Sequence, residues 1–343
     1  MVYLPYLWLL TVVVAGLMAP LTPAFSAPMS LADQAVEDPA IAPSYCPGVR
    51  FSIQTPPLSS EPYIQLTVDG QTGPFLIDYA ATASSVEKGV LATGDAPITL
   101  AGPALPGLPE QNPFLVSDRD ITALGVGDQL GVIGTDMLSQ VVVEMRYDNA
   151  NDEHLLVSRD CDTRALAEQG FWRFDQTGFF SADPTQQIRP NVPVLFIDFQ
   201  AGLHGGAVGT KTWAQLDSGY GDGVRPYSID INEAYYAQLV AADLPLVEVD
   251  SLEFNDCQGT LRTDRVYVLP GYWLRLEDAE GAAMYRQASF YLVRKGQGSG
   301  QCGGIATMDE PAAQFGASFL RVLGQIIFDP ANESVWVLPT TFR

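Results

Sequence analysis

The sequence predicts an all-β fold made of two related lobes, and three observations carry that expectation. Glycine (31) and proline (25) punctuate the 343 residues densely, which favours tight turns and short strands over long helices. Apolar stretches such as Tyr63-Ile64-Gln65-Leu66-Thr67-Val68 alternate with a period of two, the pattern of a half-buried strand. A hairpin pattern also occurs twice. Gly134 is followed by Met137-Leu138, Tyr147-Asp148, Ala150-Asn151 and Leu155-Leu156-Val157; Gly316 is followed by Phe319-Leu320, Phe328-Asp329, Ala331-Asn332 and Val335-Trp336-Val337. The glycines lie 182 residues apart and the aspartates 181, so the two ends of the pattern are spaced alike. With 47% hydrophobic and 17% charged residues, the chain has ample material for a packed core.

Taken in order, residues 1–27 read as an export signal. Met1 to Ala27 carries no charged side chain, has an apolar core over Leu7–Met18, and ends on small residues at Ala24, Ser26 and Ala27. That core is shorter than the roughly 20 residues needed to cross a bilayer, so cleavage near Ala27 and no stable membrane anchor are expected. The expected location is periplasmic or extracellular. Residues 28–47 form a Pro-rich N-terminal arm, 48–160 the N-terminal β lobe, 161–190 an interlobe linker with a short helix near Leu166, and 191–343 the C-terminal β lobe. Export implies an oxidising compartment for Cys46, Cys161, Cys257 and Cys302, which allow three pairings. The pairing that keeps each bridge within one half is Cys46–Cys161 with Cys257–Cys302.

Charge and histidine content narrow the chemistry. Eighteen Lys and Arg against 40 Asp and Glu give a formal charge of −22, which argues against nucleic acid as a partner. Only His154 and His204 are present, too few and too isolated for the usual zinc sites; both are expected to be solvated, and no metal or cofactor is implied. No phosphate-cradling glycine motif occurs. Carboxylates are the remaining candidates for catalysis.

Each half brings one aspartate to the end of an apolar strand: Phe75-Leu76-Ile77-Asp78 and Trp213-Ala214-Gln215-Leu216-Asp217. Small residues follow, as Tyr79-Ala80-Ala81-Thr82-Ala83-Ser84 and as Ser218-Gly219. Downstream stand Val132-Ile133-Gly134 and Gln314-Phe315-Gly316. In these motifs the chain resembles the pepsin/retropepsin-like aspartic peptidases, over residues 48–160 and 190–343. Leu216-Asp217-Ser218-Gly219 matches that family's Asp-Thr/Ser-Gly signature in full; the first copy departs from it at Tyr79 and Ala80. The resemblance implies a bilobal fold with a central cleft, Asp78 and Asp217 as catalytic residues, and Tyr79, Ala80, Thr82, Ser84, Ser218 and Gly219 as loop support. It also implies that Gly134 and Gly316 are the glycine turns and that Cys257–Cys302 is the second lobe's disulfide.

The chemistry needs such a pair because two facing carboxylates cannot both ionise easily, so one keeps a proton while the other acts as base. The expected activity is peptide-bond hydrolysis by an activated water in a monomeric enzyme acting on peptide or protein substrates. The alternative is an inactive relative of the same fold that binds peptides or proteins; a third class is an unrelated exported β module. At the first motif, Tyr79 is too long to lock the loops as Thr would, and Ala80 is expected to strain a glycine conformation. Between Ala80 and Arg146 there is no Tyr or Trp, so any lid is expected from the second half, which holds Tyr220, Tyr227, Tyr235, Tyr236, Tyr267, Tyr272 and Trp273. Asp148 and Asp329 read as turn residues, and Asp136 and Asp222 carry no assigned role.

Overall fold

The computed structural model describes residues 45–55, 60–68, 70–87, 90, 97–101, 113–115, 118–119, 128–147, 151–176, 192–203, 209–221, 225–255, 260–296 and 304–339. All of them belong to one compact unit, Glu37–Arg343. The export signal, Cys257, Cys302, Asp148, Asp222 and His204 lie outside the described residues. Among the described residues the fold is mostly β, arranged in three sheets.

The first half contributes β1 (Gly48–Ser52), β2 (Tyr63–Val68), β3 (Gln71–Ile77), β4 (Ser85–Glu87), β5 (Pro97–Ala101), β6 (Pro113–Leu115), β7 (Asp118–Arg119), β8 (Gly131–Ile133), the one-turn helix α1 (Thr135–Leu138), β9 (Val142–Arg146) and β10 (His154–Ser158). Between the halves lie helix α2 (Thr163–Glu168), capped by the Asp162 carboxylate, and β11 (Trp172–Asp175). The second half contributes β12 (Val194–Gln200), β13 (Thr212–Leu216), β14 (Ser228–Ile231), α3 (Glu233–Ala241), β15 (Val247–Asn255), β16 (Leu261–Glu277), β17 (Ala283–Arg294), β18 (Ala312–Phe315), α4 (Ala317–Leu323), β19 (Gln325–Asp329) and β20 (Ser334–Leu338).

The repeat seen in the sequence reappears as topology. In the first half the order β2-β3-β8-β4-β7 pairs antiparallel, parallel, antiparallel, parallel. In the second half β12-β13-β18-β14-β17 pairs in the same sequence of directions. Glycine is required where the turns are tightest: Gly70 closes the β2–β3 hairpin at φ +77, a conformation that L side chains rarely adopt. The second half adds the long β16–β17 hairpin. Because β16 also pairs with β12, strands β12, β13, β18, β14, β17 and β16 close into a ring, leaving β15 on its outside.

The third sheet is shared, with order β1-β10-β9-β19-β20-β11. Its central pairing, β9 with β19, sets Met145 opposite Ile326, and these residues are equivalents 181 apart. Arg146 opposes Gln325 and Glu144 opposes Ile327, so exchanging the two hairpins maps one pair onto the other. The register is therefore that of a local two-fold axis through Met145 and Ile326. The two recurrent apolar runs are buried here: Val143, Met145, Ile326, Phe328, Val335 and Val337 join one hydrophobic cluster with Phe75, Ile77 and Ile133 of the first half and Leu216, Phe315 and Phe319 of the second. A fully buried side chain of this size contributes about 2–3 kcal/mol.

Two expectations about turns and surfaces are decided here. Asp329 is a turn residue: its carboxylate accepts Asn332 N–H at 3.2 Å and the Asn332 amide at 2.7 Å. His154 is not solvated. It is buried in β10 opposite Arg146, its Nδ1 lies 2.9 Å from the Asp152 carbonyl, and burial foremost holds its pKa below the ordinary range. The reason is the shared sheet, which covers a face that a lone hairpin would expose.

Cys46 and Cys161 form a disulfide across a separation of 115 residues, and the bond fits an oxidising compartment. It staples the segment before β1 to the segment after β10, the partner strand of β1. Among the described residues no helix is long and apolar enough to cross a membrane. Replacing both cysteines with alanine is expected to lower the unfolding free energy by about 4–5 kcal/mol, the chain-entropy value for a loop of this length. Equilibrium urea unfolding of the double variant checks it; an unchanged midpoint would refute the staple.

Candidate active site

Strands β3 and β13 end on Asp78 and Asp217, and the backbone treats the two alike. The residue before each aspartate donates to a proline carbonyl: Ile77 N–H to Pro62 at 3.0 Å and Leu216 N–H to Pro193 at 2.9 Å. Each aspartate N–H then donates to the residue preceding the glycine turn, Asp78 to Ile133 at 3.0 Å and Asp217 to Phe315 at 2.9 Å. After each glycine, the next N–H returns the contact: Thr135 N–H reaches Ala81 O and Ala317 N–H reaches Tyr220 O, both at 2.8 Å. Ala81 and Tyr220 both stand three residues past their aspartate. A Cβ on Gly134 would come within 2.7 Å of Ala81 O, and one on Gly316 within 2.8 Å of Tyr220 O. The glycines are therefore demanded by close approach of two chain segments.

The two loops meet each other. Ser218 Oγ donates to Ile77 O at 2.6 Å and accepts Tyr79 N–H at 3.1 Å, tying the second loop to both residues flanking Asp78. Gly219 packs against the Asp78 carboxyl so closely that a Cβ there would overlap it. The Asp78 carboxyl lies close enough to Asp217 to act on it through charge and side-chain hydrogen bonding. Asp78 is half-buried, and its Oδ1 accepts Ala80 N–H at 2.8 Å and Ala81 N–H at 3.0 Å. Asp217 is buried and its Oδ1 accepts Gly219 N–H at 3.0 Å. Burial foremost, then the charges of Asp78 and Asp230 and the bond to Asp78, hold the Asp217 carboxyl well above the ordinary carboxylate range, against a smaller pull from Gly219 N–H.

The remaining sequence-derived positions separate. Ser84 supports the first loop: its hydroxyl donates to Asp136 Oδ1 at 2.7 Å and accepts Gly134 N–H at 2.9 Å, while its own N–H reaches the same carboxylate at 3.0 Å. This gives Asp136 a role in bracing the loop. Thr82 is exposed and enters none of these bonds among the described residues. Tyr79 supports the loop through its N–H. Its ring points into the core, stacked on Phe328 with centroids 3.8 Å apart, and burial raises its hydroxyl pKa. The expected strain at Ala80 is absent, because neither Ala80 nor Gly219 has a positive φ. What Gly219 answers is the space taken by the Asp78 carboxyl, and at Ala80 the two N–H bonds to Asp78 form with a Cβ in place.

Sequence reasoning passed over a buried polar group behind Asp217. Gln215 donates to Gln314, Gln314 donates to Asp230 at 3.3 Å, and the Lys295 ammonium lies 3.4 Å from Asp230 and 3.1 Å from Asp264. Lys295 also donates to the Tyr220 hydroxyl at 2.7 Å and sits 4.0 Å from the centre of its ring. Burial alone would depress this lysine, yet Asp230, Tyr220 and Asp264 together hold it above its ordinary pKa. The one signal in the sequence is a polar residue two before the Asp217 and Gly316 landmarks, where the first half has Leu76 and Val132.

Two stability outcomes follow from this geometry. Ser218→Ala removes both cross-loop bonds and is expected to cost about 1–3 kcal/mol in chemical unfolding, with Ser218→Thr restoring most of it. A carboxyl whose pKa is raised by folding favours the native state at low pH, and that contribution is lost as pH climbs from the ordinary aspartate range through the raised one. Asp217→Asn is therefore expected to unfold at a higher temperature than wild type at about pH 7, with the gap closing near about pH 3. A gap that widened in acid would contradict the raised pKa. The sequence matches no protein-family model and no curated protein.

Proposed function

We propose that the chain is an exported aspartic-type endopeptidase of bilobal, pepsin-like fold, with a cleft between two β lobes and Asp78 and Asp217 at its floor. The observation that carries the reading is the pair itself: two repeat-equivalent aspartates on loops in contact, with Gly219 against the Asp78 carboxyl and the Ser218 bridge holding both loops. Support comes also from the matched strand order of the two halves and from the two-fold register of β9 with β19. The Cys46–Cys161 bridge fits the exported setting.

In this reading the two carboxyls share one proton and hold a water between them and the scissile carbonyl. The ionised member takes a proton from the water as its oxygen bonds to the carbonyl carbon. The protonated member gives its proton to the carbonyl oxygen, forming a tetrahedral gem-diol. Collapse of that adduct breaks the C–N bond, with a proton delivered to the departing nitrogen. The loop bonds matter because the pair must keep its spacing through these transfers, and Ser218 ties the Asp217 loop to both neighbours of Asp78. A second reading, a peptide-binding relative without turnover, is favoured by the one-sided lock, since Tyr79 commits its side chain to the core.

The deciding measurement is cleavage of an unstructured protein between about pH 3 and 6, where one proton per carboxyl pair is retained. Expected are turnover in the wild type, inhibition by a hydroxyl-bearing transition-state mimic, and a loss of at least about 1,000-fold in both Asp78→Asn and Asp217→Asn. Binding of the mimic without turnover would select the second reading. Robust cleavage surviving both substitutions would end the dyad.

A further inference from the structure

The two halves differ most sharply on one row of side chains. In the second half, Gln215 of β13 stands beside Gln314 of β18, which stands opposite Asp230 of β14. In the first half the equivalent row is Leu76 of β3, Val132 of β8 and Ser85 of β4, in the same pairing. Leu76 and Val132 there pack with Tyr63 and Ala81 as a small apolar cluster. The fold thus accepts Leu, Val and Ser at these places without burying a charge. The second half instead buries Asp230 and Asp264 around the Lys295 ammonium, an arrangement whose desolvation cost buys no obvious stability.

The location of this group suggests its use. Gln215 and Asp217 lie on the same side of their chain segment, two residues apart, and Asp230 is near enough to act on Asp217 through space. The charged and titratable groups facing Asp230 are Lys295 at the end of β17, with Asp264 of β16 behind it, and Asp217; Gln314 of β18 supplies a neutral donor. Lys295 reaches the Asp217 loop a second time through the Tyr220 hydroxyl, and Tyr220 O is the carbonyl that receives Ala317 N–H after the glycine turn. Asp78, by contrast, has two backbone N–H donors on one carboxylate oxygen, and its half presents the apolar row.

We propose that Asp230 is a positioning residue for the carboxyl pair: held as a carboxylate by Lys295 and Gln314, it assigns the shared proton to Asp217 and leaves Asp78 as the base that activates water. This rests on the reading of Asp78 and Asp217 as a working pair. Two N–H donors stabilise negative charge on Asp78, whereas a fixed negative charge behind Asp217 opposes its ionisation. In the hydrolytic step Asp217 then gives its proton to the carbonyl oxygen and Asp78 receives one from the attacking water, so the pair ends with its proton exchanged between members.

Carboxyl carbon NMR of the full chain, titrated from acid to neutral, tests this without requiring turnover. In the wild type the last proton of the pair is expected to leave Asp217. Asp230→Asn should move that event down by about one pH unit, a tenfold fall in proton affinity. Asp230→Glu should leave it in place. Asp264→Asn removes the same charge from the same lysine, but not from beside Asp217, and should also leave it in place. Equal shifts in Asp230→Asn and Asp264→Asn would mean a general loosening and would overturn the assignment. So would a last proton leaving Asp78 in the wild type, which decides the matter even where Asp230→Asn does not fold. In the cleavage assay the alkaline limb of kcat/KM should move with the titration. No cleavage with the expected titration would refute the peptidase reading and leave the proton assignment standing.

Discussion

The antiparallel pairing of β9 with β19 is the contact on which the rest of the structure depends. It sets Met145 against its own repeat-equivalent, Ile326, and forces each half to meet the other in the same way from opposite directions. Backbone hydrogen bonds are satisfied on both sides of that line, so the edge that each hairpin would otherwise expose is closed by its counterpart. Tyr147 N–H to Gly324 O, at 3.2 Å, extends the ladder past the end of β9. Gln325 donates to Glu144 Oε1, so two equivalent positions meet in a buried setting.

From this line the site follows by short chain paths. One helix back along the chain from β9 and from β19, a parallel pair in a separate sheet (β3 with β8, β13 with β18) ends on an aspartate and a glycine turn. The loops meet because the same backbone bonds hold each aspartate to its glycine turn, and because Ser218 fastens one loop across to the other. Phe328 links the two scales directly: it belongs to β19 and stacks on Tyr79, the residue after Asp78. That contact explains how the first loop holds its shape with Tyr where Ser stands in the second. The tyrosine gives up a cross-loop hydroxyl and gains a buried aromatic stack, which contributes about 0.5–1.5 kcal/mol beyond area burial.

The two halves are alike in backbone and unlike in what lies behind the aspartates. An apolar row behind Asp78 and a charged, hydrogen-bonded row behind Asp217 place identical carboxyls in different fields. Burial beside a fixed negative charge opposes ionisation, while convergent N–H donors favour it. A duplicated scaffold can in this way give one residue type two electrostatic settings, provided the symmetry is broken by side chains and not by the chain path.

Of the three cysteine pairings the sequence allowed, the structure shows Cys46–Cys161; by itself the sequence determined the β class, the repeat, both strand-end aspartates and both glycine turns. These are legible because they depend on period-two burial, on turn geometry and on residue identity at short range. The tertiary structure alone decided that Tyr79 faces the core, that Ala80 is unstrained, that His154 is buried, and that Asp136 braces the first loop. It alone brought together Gln215, Asp230, Asp264, Gln314 and Lys295, which are scattered over 100 positions of the chain. No local pattern marks such a group, because what makes it a unit is burial by strands far apart in sequence, and the cost of a buried charge exists only once those strands have closed around it.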